Sequence, residues 1–162
     1  MSGEGLITDV RAVHQSVGHA RLKELMHRGN EFLGCEWAIL GGAMSWVSER
    51  NLVSAISNAG GFGVIACGAM TPGLLDLEIA ETRARTKRPF GVNLITMHPQ
   101  LGELIDVCAK HQVGHVVLAG GLPPGGAIER IKGSGAKLIC FAPALALAKK
   151  LMRSGADALV IE

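Results

Sequence analysis

The sequence predicts an α/β fold built on a parallel sheet, and three observations predict it. Short apolar runs recur along the chain and are continuous rather than alternating, as strands buried on both faces require. Amphipathic stretches with helical spacing separate these runs. Glycines mark the ends of the helical stretches, at Gly60, Gly114, Gly133 or Gly135, and Gly155. Glycine is the usual residue where a helix stops in the left-handed conformation.

Taken in order, the segment before Trp37, with Leu22, Leu25 and Met26, reads as an N-terminal helix. Six strands are expected, at 37–43, 62–67, 90–96, 115–119, 137–141 and 158–161. The first intervening helix starts near Ser48, a good N-cap, and buries Leu52, Val53 and Ile56. The second opens with Thr71 and Pro72, a cap followed by proline at the first helical position. The third follows Pro99 and carries the stripe Leu101, Leu104, Ile105 and Cys108. A short helix covers 127–131, and the last places Ala144, Leu147, Ala148, Leu151 and Met152 on one face.

Strands separated by helices imply parallel pairing through right-handed crossovers. On this pattern alone an open doubly wound sheet and a (β/α)₈ barrel both fit. The barrel needs eight strands and typically about 250 residues. The sequence ends at Glu162 on a strand with no helix to cover it, so it is expected to be part of a larger domain.

Composition excludes several classes. A chain of 162 residues that is 48% hydrophobic and 19% charged can bury a core and is not disordered. A net charge of +2, no tyrosine, four phenylalanines and two tryptophans give neither an electrostatic footprint nor a stacking platform for nucleic acid. The N-terminus lacks an apolar signal core, and no apolar run reaches about 18 residues, so no membrane span is expected and the cytosol is the expected compartment. Cys35, Cys67, Cys108 and Cys140 form no C-x-x-C pair and read as structural residues. No histidines pair at metal-ligand spacing.

In both candidate architectures ligands bind at the C-terminal ends of the strands. Those ends read Gly42-Ala43-Met44, Cys67-Gly68, 93–98, Ala119-Gly120-Gly121 and Ala142-Pro143. Nearly all are small and uncharged, which leaves room for a large flat ligand approached by backbone groups. No lysine or arginine lies there, so a phosphate needs a site elsewhere. Asn93 is an amide inside the apolar run FGVNLIT; it either bonds a ligand ring or is satisfied within the sheet. His98 reads as a loop residue before Pro99 with a possible acid–base role as the alternative, and His115 as structural. His14, His19, His27 and His111 lie away from the strand ends. Gly61-Phe62-Gly63-Val64-Ile65-Ala66 matches G-x-G-x-x-A, but it follows a helix and opens a strand, the reverse of a dinucleotide motif.

The residues also carry a family resemblance. AILGGAMSWVSERNLVSAISNAGGFGVIACG resembles the opening of nitronate monooxygenases, formerly 2-nitropropane dioxygenases; RPFGVNLI resembles their third-strand segment; and APALALAKKLMRSGADALVIE resembles the stretch before their Gly-Gly-His motif. The flavin-dependent enoyl-ACP reductases of type II are close relatives. The resemblance covers 22–162, leaves 1–21 as an N-terminal extension, and implies a (β/α)₈ TIM barrel holding FMN, of which this chain is the N-terminal part. It implies that Gly42, Ala43 and Met44 lie against the flavin through their backbone, that Asn93 contacts it, and that Gly120 lies near the ring. The chain departs from the family at Gly41, usually glutamine, and at Ala43, often glycine or proline. The implied reaction is oxidation of a nitronate or nitroalkane with dioxygen as final acceptor. An enoyl thioester reduced with NAD(P)H is the alternative, and an inert truncated chain is a third reading. The family's histidine would fall just after Glu162, so no catalytic residue is assigned within the chain.

Overall fold

The computed structural model describes residues 17–161; His14, Glu162 and most of the expected 1–21 extension lie outside the described residues. Helix α1 (Val17–Leu33) leads to α2 (Arg50–Asn58) and then to strict alternation: β1 (Gly63–Ala66), α3 (Pro72–Arg85), β2 (Phe90–Ile95), α4 (Leu101–Lys110), β3 (His115–Ala119), α5 (Ala127–Gly133), β4 (Lys137–Phe141), α6 (Leu145–Arg153) and β5 (Ala158–Val160). The five strands form one sheet in the order β1-β2-β3-β4-β5, and every pairing is parallel.

The expected strand at 37–43 is reduced to a single parallel bridge between Leu40 and Phe62. Gly41 N–H donates to the Phe62 carbonyl, and Phe62 N–H donates to Ile39. At Gly42 the chain leaves the ladder, because its carbonyl is taken by the Ser48 hydroxyl at 2.8 Å. Sequential parallel order is kept, with five strands and a bridge in place of six.

Local chemistry explains the helix ends, with two differences from expectation. Thr71 caps α3 with its side chain on Leu74 N–H and Pro72 at the start. The α2 cap is Glu49, not Ser48: the Glu49 carboxylate accepts from Asn51 and Leu52 N–H. After α4 the left-handed residue is Gln112, at φ 49°, and not Gly114. Gly60, Gly135 and Gly155 do carry positive φ where helices stop.

Strands β1 to β4 are buried on both faces along most of their length, which is why the apolar runs are continuous, while β5 is only partly buried. Ile65, Val92, Leu94, Val116, Leu118, Leu138 and Cys140 pack into one cluster with helix residues such as Leu75, Ile79, Leu104, Ile131 and Leu151. The intervening residues Val64, Val117 and Ile139 face the other way and pack with Phe62 and Leu33. At the N-terminal end of this second face, the carboxyl end of α1 is fastened by its Phe32 carbonyl. The Lys137 ammonium and the His115 ring both donate to it, the latter from Nε2 at 2.8 Å. His115 stacks edge-on against Phe32 and Phe62, with ring centroids 5.5 and 4.9 Å away. Because a carbonyl only accepts, Nε2 carries the proton and Nδ1 is left buried without a partner among the described residues. Burial pushes the His115 pKa down, so the ring is neutral, in keeping with a structural role.

Candidate functional site

Three cavities border the strand ends, one of them a small space of about 180 Å³ beside Ala66 at the end of β1, lined by Glu49 and Glu78 among others. At the N-terminal ends of β2 and β3, a space of about 460 Å³ is flanked by Arg83, Lys87 and Arg88. Arg83 is already committed to the carbonyls of His111 and Gln112. Over the second face of the sheet, a space of about 450 Å³ is lined by Leu40 to Ala43, by Val64, Asn93, Ile95, Val117 and Ala119, and by Phe141 and Val160. Ligands of parallel α/β folds sit at the C-terminal strand ends, so this last space, the larger of the two at those ends, is the candidate site. Among the described residues its lining carries no charged and no titratable side chain.

Three of the five expected site residues converge on it: Gly42, Ala43 and Asn93. Asn93 reaches the wall because strand alternation turns it away from its neighbours Val92 and Leu94, which face the helices. It is 5% exposed, and its Nδ2 donates to the Val117 carbonyl at 3.3 Å. One amide hydrogen bond is therefore satisfied inside the sheet.

Met44 and Gly120 do not line the space. Met44 is half exposed, and its N–H donates to Ser48 Oγ at 3.0 Å. Gly120 lies one residue past the lining residue Ala119, at φ +98°, and its carbonyl accepts from Thr96 Oγ1 at 2.7 Å. A side chain there would be strained. Gly42 is different: its φ is not positive, and a Cβ added to it would meet nothing within 4 Å. Neither backbone conformation nor packing within the described residues requires glycine at 42.

Sequence reasoning left out Phe141 and Val160, which supply apolar wall in the same cavity as Gly42 and Ala43. Period-two alternation from the inward Ile139 points to Phe141. His98 is outside the lining; its Nδ1 accepts the Gln100 N–H at 3.1 Å, a turn bond. Burial pushes the thiols of Cys67 and Cys108 up to about 12 and that of Cys140 up to about 11, so they are protonated and unreactive. Among the described residues no cluster of His, Cys, Asp or Glu could hold a metal, and no helix is long and apolar enough to cross a membrane.

Comparison with known proteins follows the same outline. A 34% identical relative, over 82% of this chain and 37% of its own length, is the (3aS,4S,5R,7aS)-5-hydroxy-7a-methyl-1-oxo-octahydro-1H-indene-4-carboxyl-CoA dehydrogenase of Mycobacterium tuberculosis. A nitronate monooxygenase of Paraburkholderia phytofirmans is 39% identical over 41% of this chain and 18% of its own. Among solved structures, FabK of Thermotoga maritima superposes with a TM-score of 0.75 at 36% identity, over 83% of this chain and 43% of that one. The nitroalkane oxidase of Streptomyces ansochromogenes gives 0.70 at 25% identity, over 76% and 45%. The chain thus spans less than half the length of each, and the sheet of β1–β5 is an arc of their TIM barrel. The profile of the nitronate monooxygenase family matches residues 27–113, and with more than half of the sequence inside that match the chain belongs to this family of oxidoreductases.

Proposed function

We propose that the protein is an FMN-dependent oxidoreductase whose substrate is a nitronate, with dioxygen as the final electron acceptor. The convergence of Gly42, Ala43 and Asn93 on one uncharged cavity of about 450 Å³ carries this reading. The residues fit a flat ring. Gly42 leaves open the space a Cβ would occupy, and the Ala43 N–H beside it has no partner among the described residues. Asn93 offers an amide at the wall, while Val64, Val117 and Phe141 present apolar surface that excludes water.

Bound FMN supplies the two-electron chemistry; the chain's residues orient the ring and keep the site dry. The phosphate needs cationic or backbone donors that this lining does not contain. The lining also holds no base. A nitronate is already deprotonated and asks none of these residues to remove a proton.

A second reading, an FMN- and NAD(P)H-dependent reductase of enoyl thioesters, is favoured by the identity of the long matches: the dehydrogenase, named for a carboxyl-CoA, is 34% identical over 82% of this chain, whereas a probable nitronate monooxygenase of Staphylococcus aureus is 26% identical over 84%. The test uses the full-length protein, released-flavin analysis and two assays. Oxygen uptake with propyl nitronate supports the first reading. NAD(P)H oxidation dependent on a crotonyl thioester, without nitronate turnover, replaces it with the second. Protein purified with no flavin and binding none removes both.

A further inference from the structure

Ser48 lies two residues before α2 and is expected from the sequence to cap it, yet the helix does not use it. Glu49 caps α2, accepting from Asn51 N–H at 3.0 Å and Leu52 N–H at 3.2 Å. Ser48 is 3% exposed, and its hydroxyl is spent backwards along the chain. It donates to the Gly42 carbonyl at 2.8 Å and accepts from Met44 N–H at 3.0 Å. These two groups lie on either side of Ala43, and Gly42 and Ala43 form part of the cavity wall.

The clamp is anchored to the sheet, because the Ser48 carbonyl accepts from Ala66 N–H at the end of β1, 3.0 Å away. Within the loop it closes, Val47 and Ser48 N–H both donate to the Met44 carbonyl. The same turn holds Trp46 at φ 66°, a conformation costly for a bulky side chain. Such a conformation persists only where the surroundings over-determine it.

From this geometry we propose that Ser48 is a positioning residue for the flavin. One hydroxyl takes a donor and an acceptor out of the loop and thereby fixes the peptide planes around Ala43, leaving the Ala43 N–H as the donor presented to the ring. Ser48 touches no cofactor atom itself. The proposal rests on the FMN reading above, and it adds a determinant of ring affinity and electronic environment that lies outside the cavity wall. Pre-setting a loop lowers the ordering cost of binding.

The experiment compares the full-length wild type with Ser48→Ala and Ser48→Thr. Three quantities are read: FMN dissociation constant by flavin fluorescence, visible absorption spectrum of the bound flavin, and melting temperature without FMN. Loss of one two-sided hydroxyl bridge is expected to weaken FMN binding about five- to tenfold. Ser48→Ala is also expected to shift the visible bands, with Ser48→Thr recovering both because it keeps the hydroxyl. Wild type that binds FMN, with an unchanged constant and spectrum in Ser48→Ala, overturns the proposal alone. Equal loss in both variants, matched by an equal fall in melting temperature, overturns it by making Ser48 merely structural. Wild type that binds no FMN overturns the cofactor reading and this proposal together.

Discussion

Asn93 and His115 are both polar residues buried in a sheet, and their partners separate their roles. Asn93 gives Nδ2 to the Val117 carbonyl and faces a ligand-sized space at the C-terminal end of the barrel arc. Asn93→Ala is expected to weaken FMN binding by about 1 kcal/mol or more, read by flavin fluorescence titration; unchanged affinity with a lower melting temperature would assign the amide to the sheet alone. His115 sits at the other end, where Nε2–H bonds Phe32 and Nδ1 has no partner among the described residues. Desolvation is the largest cause of its lowered pKa; nearby Lys137 pushes the same way, while the Phe32 bond and Asp157 oppose. The folded ring therefore holds its proton less tightly than the unfolded one, whose pKa is about 6.5. Its stabilising effect is complete above that value and is lost as pH falls through the unfolded pKa and then the depressed folded one. Chemical denaturation at a series of pH values should show stability falling below about pH 6.5. His115→Gln, which keeps a donor for Phe32 but does not titrate, should flatten that part of the profile; an unchanged slope would place its origin in other groups.

Among the elements, the strands and helices were legible because their signals are repetitive: continuous apolar runs, the i, i+3, i+4, i+7 stripe of α4, and Thr71-Pro72 at the start of α3. The exceptions were decided by single contacts that no periodicity encodes. The 37–43 run has strand composition, but Ser48 takes the Gly42 carbonyl and a lone bridge remains at Leu40. Ser48 is the cap that residue type favours, and only the structure shows that α2 uses Glu49 instead. Gly42, Ala43 and Asn93 were expected from the strand ends and the family resemblance, and they line the cavity; Met44, expected beside them, is absent from that lining, its N–H donating to the Ser48 hydroxyl. The contact of α2 with β1 rests on an equally local fact. A Cβ on Gly63 would fall 2.4 Å from the Val53 carbonyl oxygen and 2.9 Å from its Cα, both backbone atoms that cannot swing aside. Gly63→Ala must push α2 off the sheet, and a loss of about 1–3 kcal/mol is expected in thermal or urea unfolding. A loss below about 0.5 kcal/mol, the range of neutral surface changes, would mean that α2 shifts without penalty.

At the scale of the whole molecule, the two faces of the sheet are finished to different degrees. The helix-covered face is closed, with Val92, Leu94, Leu104 and Leu138 all fully buried. On the cavity face Phe141, Ala158 and Val160 are only partly buried, and the cavity they border carries no cation for a phosphate and no base. The relatives align along less than half of their own length. These observations lead to a prediction for the 162-residue polypeptide expressed alone. It should form the β1–β5 sheet with its helices, because that core is internally complete, but it should bind FMN weakly and associate through the partly covered cavity face. Oxygen uptake with excess FMN and propyl nitronate should be at least about 100-fold below that of a full-length family member, and lower still for a neutral nitroalkane, where a missing base alone typically costs about 10²–10⁴-fold. Circular dichroism and sedimentation check the folding and the association, and an oxygen electrode checks the rate. A folded, monomeric polypeptide that turned over propyl nitronate at the full-length rate would show that Asn93 and the Gly42–Ala43 backbone suffice to hold and orient the flavin without a phosphate site.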